Sequence, residues 1–401
     1  MAHRERLCLS SFAVVVLVAL WLMPSGRALA NTFQVTKVLD TNNGTCDGGC
    51  SLREAIIAAN QHPGPDSILV PAGTYVLMQV GQEENVYAGD LDIHDDVTII
   101  GAGAESTIID GNRTDRVFHI HGAAVVRMSD LAIQNGVAIL NGAHIGNGGG
   151  IYNDSGTLTL ENCTLSENSA TDGGGGIYNA GGTLTLTSCT LSKNSAIYGG
   201  GGGIFNADGT LTLTSCTLSE NSASNGGGIY TYYYSTATLT NCTLSGNSAP
   251  SGNGAGISGW ATVTNTILAN SPRGRNCMNS VQSMGHNLDD DGSCGFFNTG
   301  DLSIGVTANL APLGNYGGPT QTIALCTTSG APDASCGGWS QAIDAGDNAC
   351  CRQPISAVRR DHTVPRATSA RTRAARNHLH LLVSGTATAA ATFKSTKSSP
   401  A

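Results

Sequence analysis

Seven carboxylates, three arginines and two histidines crowd one stretch of the chain: Asp90, Asp92, Asp95, Asp96, Asp110, Asp115 and Asp130, with Arg113, Arg116, Arg127, His119 and His121. Two chemistries need such a set. Cleavage of a glycosidic bond takes two carboxylates at a fixed separation, one acting as acid and the other as base or nucleophile. Elimination from an acidic sugar takes Ca2+ held by clustered carboxylates, with a basic residue beside it. Asp92, Asp95, Asp110 and Asp115, with Arg113 and Arg116, are the catalytic candidates if they converge on one groove. A plainer reading stands beside this one. Asp110-Gly111-Asn112 and His94-Asp95-Asp96 have the composition of ordinary turns, and His119-Ile120-His121 that of a strand with outward histidines.

A second acidic group is Asp289-Asp290-Asp291-Gly292 followed by Asp301. Hard cations take clustered oxygens, so Asp289, Asp291 and Asp301 are candidate Ca2+ ligands. The run lacks the full spacing of an EF-hand, and an acidic turn fits it equally well. Cys277 and Cys294 flank this loop as an expected disulfide, and Cys326 with Cys336 is another; the vicinal Cys350 and Cys351 have no assigned partner. Tyr230 is followed by Tyr232, Tyr233 and Tyr234, where one repeat loses its pattern. Exposed tyrosines stack on sugar rings, which makes Tyr232, Tyr233 and Tyr234 the binding candidates; a loop covering an edge is the competing reading.

The elements that position these groups are set by an internal repeat of about 26 residues. Ile151, Ile177, Ile204, Ile229 and Ile257 each follow glycine, Cys163, Cys189, Cys216 and Cys242 recur at spacings of 26, 27 and 26, and Asn168, Asn194, Asn221 and Asn247 recur in step. In Thr183-Leu184-Thr185-Leu186 the leucines face one way and the threonines the other, the period of a half-buried strand. The chain turns near Thr187-Ser188 and alternates again at Cys189 and Leu191. The glycine run before Ile177 makes a further corner. One such coil cannot bury its apolar face alone, but stacked coils share a core. The expected fold is an all-β, single-stranded parallel β-helix, three short strands per coil, with an asparagine ladder at a corner and stacked cysteines as buried packing, disulfides between adjacent coils being the second reading. The paired threonines Thr183/Thr185, Thr210/Thr212 and Thr238/Thr240 form a flat outward array, resembling an ice-binding face in geometry. The regular coils carry few charges, and Lys193 stands between the equivalent Glu167 and Glu220, which reads as a solvated corner.

Ser51 and Glu54 form a capping box, and Leu52, Ala55, Ile56 and Ala59 an apolar face, so a short helix is expected to plug the N-terminal mouth. Cys46 and Cys50 are expected to pin its start. Cys50-Ser51-Leu52-Arg53-Glu54-Ala55 resembles the signature of CSLREA-domain proteins, which open exported bacterial β-helices. The repeats are similar to right-handed β-helices of the pectin-lyase-like superfamily and to polymorphic outer-membrane protein repeats. Residues 287–295, 313–320 and 341–346 resemble a choice-of-anchor region. The resemblance covers about residues 31–347. It implies a right-handed helix at the bacterial surface; the chain departs from it after residue 347.

Basic residues His3, Arg4 and Arg6, the apolar run 7–23 and Ala28-Leu29-Ala30 have the layout of a secretory leader. The expected organisation is a leader at 1–30, a cap at 31–65, irregular coils at 66–135, regular coils at 136–270, a C-terminal cap at 271–355 and a basic low-complexity tail at 356–401. That tail has the composition of a disordered arm; a shifted reading frame would give the same composition. Residues 31–355 carry 9 Lys/Arg against 27 Asp/Glu, a balance that disfavours nucleic acid. The thirteen cysteines suit an oxidising compartment. The expected protein is a secreted or cell-surface monomer without a membrane span after leader removal. Its expected role is non-enzymatic, in adhesion or contact with extracellular glycan, a host surface or the cell envelope, with Ca2+ as the one candidate cofactor. The competing expectation is a polysaccharide lyase or hydrolase using the acidic early coils.

Overall fold

The computed structural model describes residues 30–81, 86–140, 146–343 and 345–346. The leader before Ala30, the tail at 356–401, Asp344, Cys350 and Cys351 lie outside the described residues.

Alternation in the repeat becomes short strands. In Thr183–Thr187 both leucines are buried while the threonines reach the surface, because successive β side chains point to opposite faces. Thirty-four strands and the helix Leu52–Gln61 are present among the described residues. The strands stack in parallel into three long sheets. A ten-stranded sheet runs from Thr32–Gln34 to Val281–Ser283, a second ten-stranded sheet from Gly73–Val76 to Leu302–Ser303, and an eight-stranded sheet from Leu91–Ile93 to Cys277–Met278. The three expected strands per coil form these three sheets. The middle coils add a four-stranded sheet, from Val137–Ala138 to Ser222–Asn225, because the Ser-Ala pair after each corner asparagine stays extended.

Register follows the repeat. Ile151, Ile177, Ile204, Ile229 and Ile257 stand one upon another, roughly 4.8 Å apart as neighbouring strands are. They belong to one continuous buried core. Each such side chain contributes about 1.5–3 kcal/mol on burial, and it does so only because a neighbouring coil covers it. Cys163, Cys189, Cys216 and Cys242 are buried free thiols in this core, and burial pushes the Cys189 and Cys242 thiols up. The bends are tighter than the glycines alone suggest. Ser188, Ser215 and Asn241, at φ of 52°, 55° and 57°, turn one corner in the left-handed region, and Lys193 and Glu220, at 56° and 57°, turn the next.

Two buried asparagine ladders line the coils. Asn168, Asn194, Asn221 and Asn247 bond side chain to side chain at 3.0 Å. A second ladder joins Asn153, Asn179 and Asn206 at 2.6 and 2.7 Å. Both satisfy corner backbone that would otherwise be orphaned in the core.

At the N-terminal end the capping box is formed: Glu54 N–H donates to Ser51 Oγ at 3.1 Å and Ser51 N–H to Glu54 Oε2 at 2.8 Å. The Ser51 bond lowers the Glu54 carboxyl against the rise from burial. Arg53 is fully buried, paired with Asp40 at 2.7 Å and donating to the carbonyls of Val86, Gly89 and Asp90. Cys46–Cys50, Cys277–Cys294 and Cys326–Cys336 are disulfides. Near the other end the antiparallel hairpin of Leu310–Gly314 and Thr322–Leu325 folds back across the second ten-stranded sheet. The Thr190 hydroxyl reaches Thr320 Oγ1 at 3.0 Å and also donates to the Gln321 carbonyl, Thr217 meets Thr322 at 3.1 Å, and Asn315 reaches Glu105 at 3.1 Å. Thr190, Ser192, Thr217 and Ser219 are buried. Two long faces stay uncovered, one lined by threonines and one by rings.

Candidate functional site

The ring-lined face grows from a single position of the repeat. In Ile151–Asp154, Ile177–Ala180, Ile204–Ala207 and Ile229–Tyr232 the isoleucine points inward, so the next residue points outward. Register places Tyr152, Tyr178, Phe205 and Tyr230 in one column. Their rings follow at centroid separations of 5.6, 4.7 and 5.0 Å, within the range of favourable aromatic pairs. The glycine run is the floor under these rings. A Cβ on Gly200 would come within 2.4 Å of the Tyr230 ring, and one on Gly173 within 2.7 Å of Phe205. Larger residues there would lift the rings off the coil.

The column continues at both ends. Tyr230 leads to Tyr232 at 5.9 Å, Tyr232 to Tyr233 at 4.1 Å and Tyr233 to Tyr234 at 6.4 Å. Exposure rises along it, from 9% at Tyr152 to 41, 64 and 92% at Tyr232, Tyr233 and Tyr234. The buried end is thus a rigid base and the other end offers ring faces to solvent. Burial, helped by the nearby Asp208 and Asp172 charges, pushes the Tyr178 phenol up, and burial alone pushes Tyr230 up, so both hydroxyls stay neutral donors at ordinary pH.

At the other end Tyr152 meets His119 at 4.8 Å, His119 meets His121 at 3.6 Å and His121 meets His94 at 4.2 Å. Asp92 is the register partner of His119. Its Oδ1 lies 2.7 Å from His121 Nε2 and 3.6 Å from His119 Nδ1, while Oδ2 accepts from the Val86 amide at 2.7 Å. Arg116 is paired with Asp90 at 2.6 Å and lies over the Tyr152 ring at 5.4 Å. Burial, with His121, Arg116 and His94 adding positive charge, pushes His119 down to about 2. His119 is therefore neutral at any ordinary pH.

The six catalytic candidates do not converge on one groove. Asp92 lies in the eight-stranded sheet, whereas Asp110 ends a strand of the second ten-stranded sheet. Asp110 accepts from Asn112, Gln134 and Asn135, as a turn residue does. Asp95 caps its own corner through Asp96 and Gly64. Arg113 forms an exposed pair with Glu167 at 3.3 Å. Asp92 and Arg116 belong to the histidine end, and Asp115, which accepts from the Arg116 amide, stands beside them. Geometry therefore divides the candidates among separate corners, because turns in different sheets contributed them.

The candidate Ca2+ ligands are spent on hydrogen bonds. Asp289 accepts from Asn276 and Cys294, Asp291 from Asn276 and Ser293, and Asp301 from Ser283, Asn287 and Asn298. The loop is a hydrogen-bonded cap, its carboxylate oxygens taken up by backbone amides and by the side chains of Asn276 and Ser283. Burial pushes the Asp289 carboxyl up to about 6, and Asp291 beside it adds to the rise. Among the described residues, the one group of three or more His, Cys, Asp and Glu donors close enough to share an ion is Asp92, His119 and His121.

The column was legible in part. The residue after the Gly-Ile pair in four successive coils is Tyr152, Tyr178, Phe205 and Tyr230, but the stacking of their rings lies across coils, and the register that adds His119 to the column joins an irregular early coil to a regular one. Sequence reasoning picked out Tyr232, Tyr233 and Tyr234 and missed the base on which they stand.

Comparison with known proteins agrees with the architecture. A family model described as the right handed beta helix region matches residues 118–288, and the coil is the right-handed parallel β-helix that name describes. Among solved structures, the chain is similar to the crystal structure of pectate lyase Pel9A, at 13% identity and a TM-score of 0.44, over 70% of this chain and 78% of that one. That likeness concerns shape and carries no chemistry to this chain. No curated protein matches it. No helix among the described residues is long and apolar enough to cross a membrane.

Proposed function

We propose that this chain is an exported, surface-displayed glycan-binding β-helix, and that sugar rings stack on the exposed end of the aromatic column. The observation that carries the reading is the unbroken run of rings from Tyr152 to Tyr234, whose exposure climbs toward Tyr234. Tyrosine suits sugar binding because its face is apolar and its hydroxyl bonds to sugar hydroxyls. A ring fixed on two χ angles also loses little entropy on binding. The acidic balance of residues 31–355 narrows the ligand. A surface with 27 acids against 9 bases repels polyuronates, so the proposed ligand is a neutral glycan. The leader-like N-terminus and the CSLREA-like phrase support display outside the cell.

Binding is proposed to occur without turnover. The test is a panel of neutral and uronate polymers, read by isothermal titration and by release of reducing or unsaturated ends. The expected result is saturable binding to a neutral polymer with no release. Tyr233→Ala with Tyr234→Ala should weaken that binding at least about fivefold, given roughly 0.5–1.5 kcal/mol for each aromatic contact beyond its area burial. Thr212→Glu, on the threonine face, should leave it unchanged. Release of product ends would overturn the reading in favour of a lyase or hydrolase. Binding indifferent to the tyrosine pair would remove its site.

A further inference from the structure

We propose that Asp92, His119 and His121 form a binding site for a borderline divalent transition ion such as Zn2+, independent of glycan binding. The placement follows from strand geometry. Leu91 and Ile93 point into the core, as do Phe118 and Ile120, all fully buried; Asp92, His119 and His121 therefore share the outward face. Asp92 and His119 are register partners on adjacent strands, and His121 lies two residues along the same strand. Three donors on neighbouring lattice points of a parallel sheet are thus brought together by period and register alone.

The distances suit one ion. A donor atom from each residue lies within 4.8 Å of the other two. Two ligands at the usual bond length of about 2.0–2.1 Å around a tetrahedral ion stand about 3.3 Å apart. Asp92 Oδ1 to His119 Nδ1 is already 3.6 Å, and Asp92 Oδ1 to His121 Nε2 must open from 2.7 Å. The His121 side chain is 19% exposed, the most open of the three donors, and is the one that must shift to admit an ion. The donor set selects the ion: two imidazoles and one carboxylate favour Zn2+ and its neighbours over Ca2+ or Mg2+, which take oxygen.

The surroundings are those of a held site. Asp92 Oδ2 accepts from the Val86 amide, and its backbone carbonyl accepts from Asn60 Nδ2 at 2.8 Å, fixing the carboxylate from outside the donor set. His94 stacks on one face of the His121 ring at 4.2 Å. The nearby Arg116 cation is balanced by Asp90 at 2.6 Å. A bound ion would tie two adjacent coils together at the base of the ring column.

The competing explanation is a histidine–aspartate hydrogen bond with no affinity for metal. Chelator-treated full chain is titrated with Zn2+ by calorimetry and with Co2+ by visible absorption. The proposal expects one ion per chain, Co2+ bands of a four- or five-coordinate site, and no displacement by excess Ca2+. His121→Ala, at a partly exposed position, should lower affinity at least tenfold while circular dichroism is unchanged, and His94→Ala should retain binding. Zn2+ should raise the melting temperature of the parent chain and leave that of His121→Ala unmoved. Absence of stoichiometric Co2+ bands, displacement by Ca2+, or parental affinity in His121→Ala would each overturn the assignment.

Discussion

Replacing Asn194 by alanine tests whether the corner ladder holds the coils together or merely accompanies them. The ladder has a direction. Asn194 Oδ1 accepts from the backbone N–H of Asn168 at 3.1 Å and from its Nδ2 at 3.0 Å. Asn194 Nδ2 donates to the Leu165 carbonyl and to Asn221 Oδ1, both at 3.0 Å. Alanine removes all four bonds at a fully buried position. At a net of about 1 kcal/mol each, with more for a buried donor left unpaired, the loss comes to roughly 3–6 kcal/mol. The damage is one-sided. Asn168 N–H loses its acceptor, whereas Asn221 N–H keeps Asn247 Oδ1 at 3.0 Å. Equilibrium denaturation gives the total, and amide hydrogen exchange gives the direction. Asn168 should exchange much faster in the variant, with Asn221 close to its parental rate. A loss below about 1 kcal/mol, or equal exposure of both amides, would refute the idea that each asparagine serves the coil before it.

Two further outcomes follow from single residues. Lys193 turns its corner at φ 56°, where the equivalent position one coil after Glu220 is Gly246; Lys193→Asn should stabilise the chain by about 0.5–1 kcal/mol, and Lys193→Val should destabilise it, both read from denaturation midpoints. Asp289, pushed up to about 6, keeps its proton in the folded cap at pH values where the unfolded chain, near 3.9, has lost it. A raised carboxyl favours the folded state as pH falls through 6 toward 4, so amides of the 277–294 loop, corrected for intrinsic rate, should be better protected at pH 5 than at pH 7. A carbon-13 titration midpoint below 4.5 for this carboxyl would contradict the burial that raises it.

What the sequence made legible was whatever repeats with the coil. Ile151 and its successors, the four cysteines and the ladder from Asn168 to Asn247 recur at a near-constant spacing, and stacking turns constant spacing into columns. The capping box is equally local, since Ser51 and Glu54 lie within one helical turn. Contacts between unlike coils were not legible. Asp92 and His119 meet because two irregular early strands pair in a register that no repeated phrase announces. The second ladder was visible as the asparagine after Ile-Tyr and Ile-Phe, yet a strand pattern alone does not separate an inward asparagine from a turn residue. Arg53 shows the same limit: its burial depends on Asp40 and on three carbonyls near residues 86–90. In the hydroxyl pairs that seat the C-terminal hairpin, Thr190 and Thr217 repeat with the coil, but their partners Thr320 and Thr322 lie outside the repeat.

That hairpin changes how the molecule bears load. Coils in a solenoid touch only their neighbours, so a stack can fray from either end one turn at a time. Here Thr320 and Thr322 clasp Thr190 and Thr217, residues 130 and 105 positions earlier. The coils built on Ile229 and Ile257 lie between the clasp and the segment that carries it. Tension applied beyond the hairpin meets the clasp before it meets those coils. The expected signature in a pulling experiment is an initial shear event at the hairpin, followed by smaller releases as the C-terminal turns unspool. Pulled beyond the hairpin, the chain would therefore resist as a latched spring resists, with the turns after the clasp shielded until the latch opens.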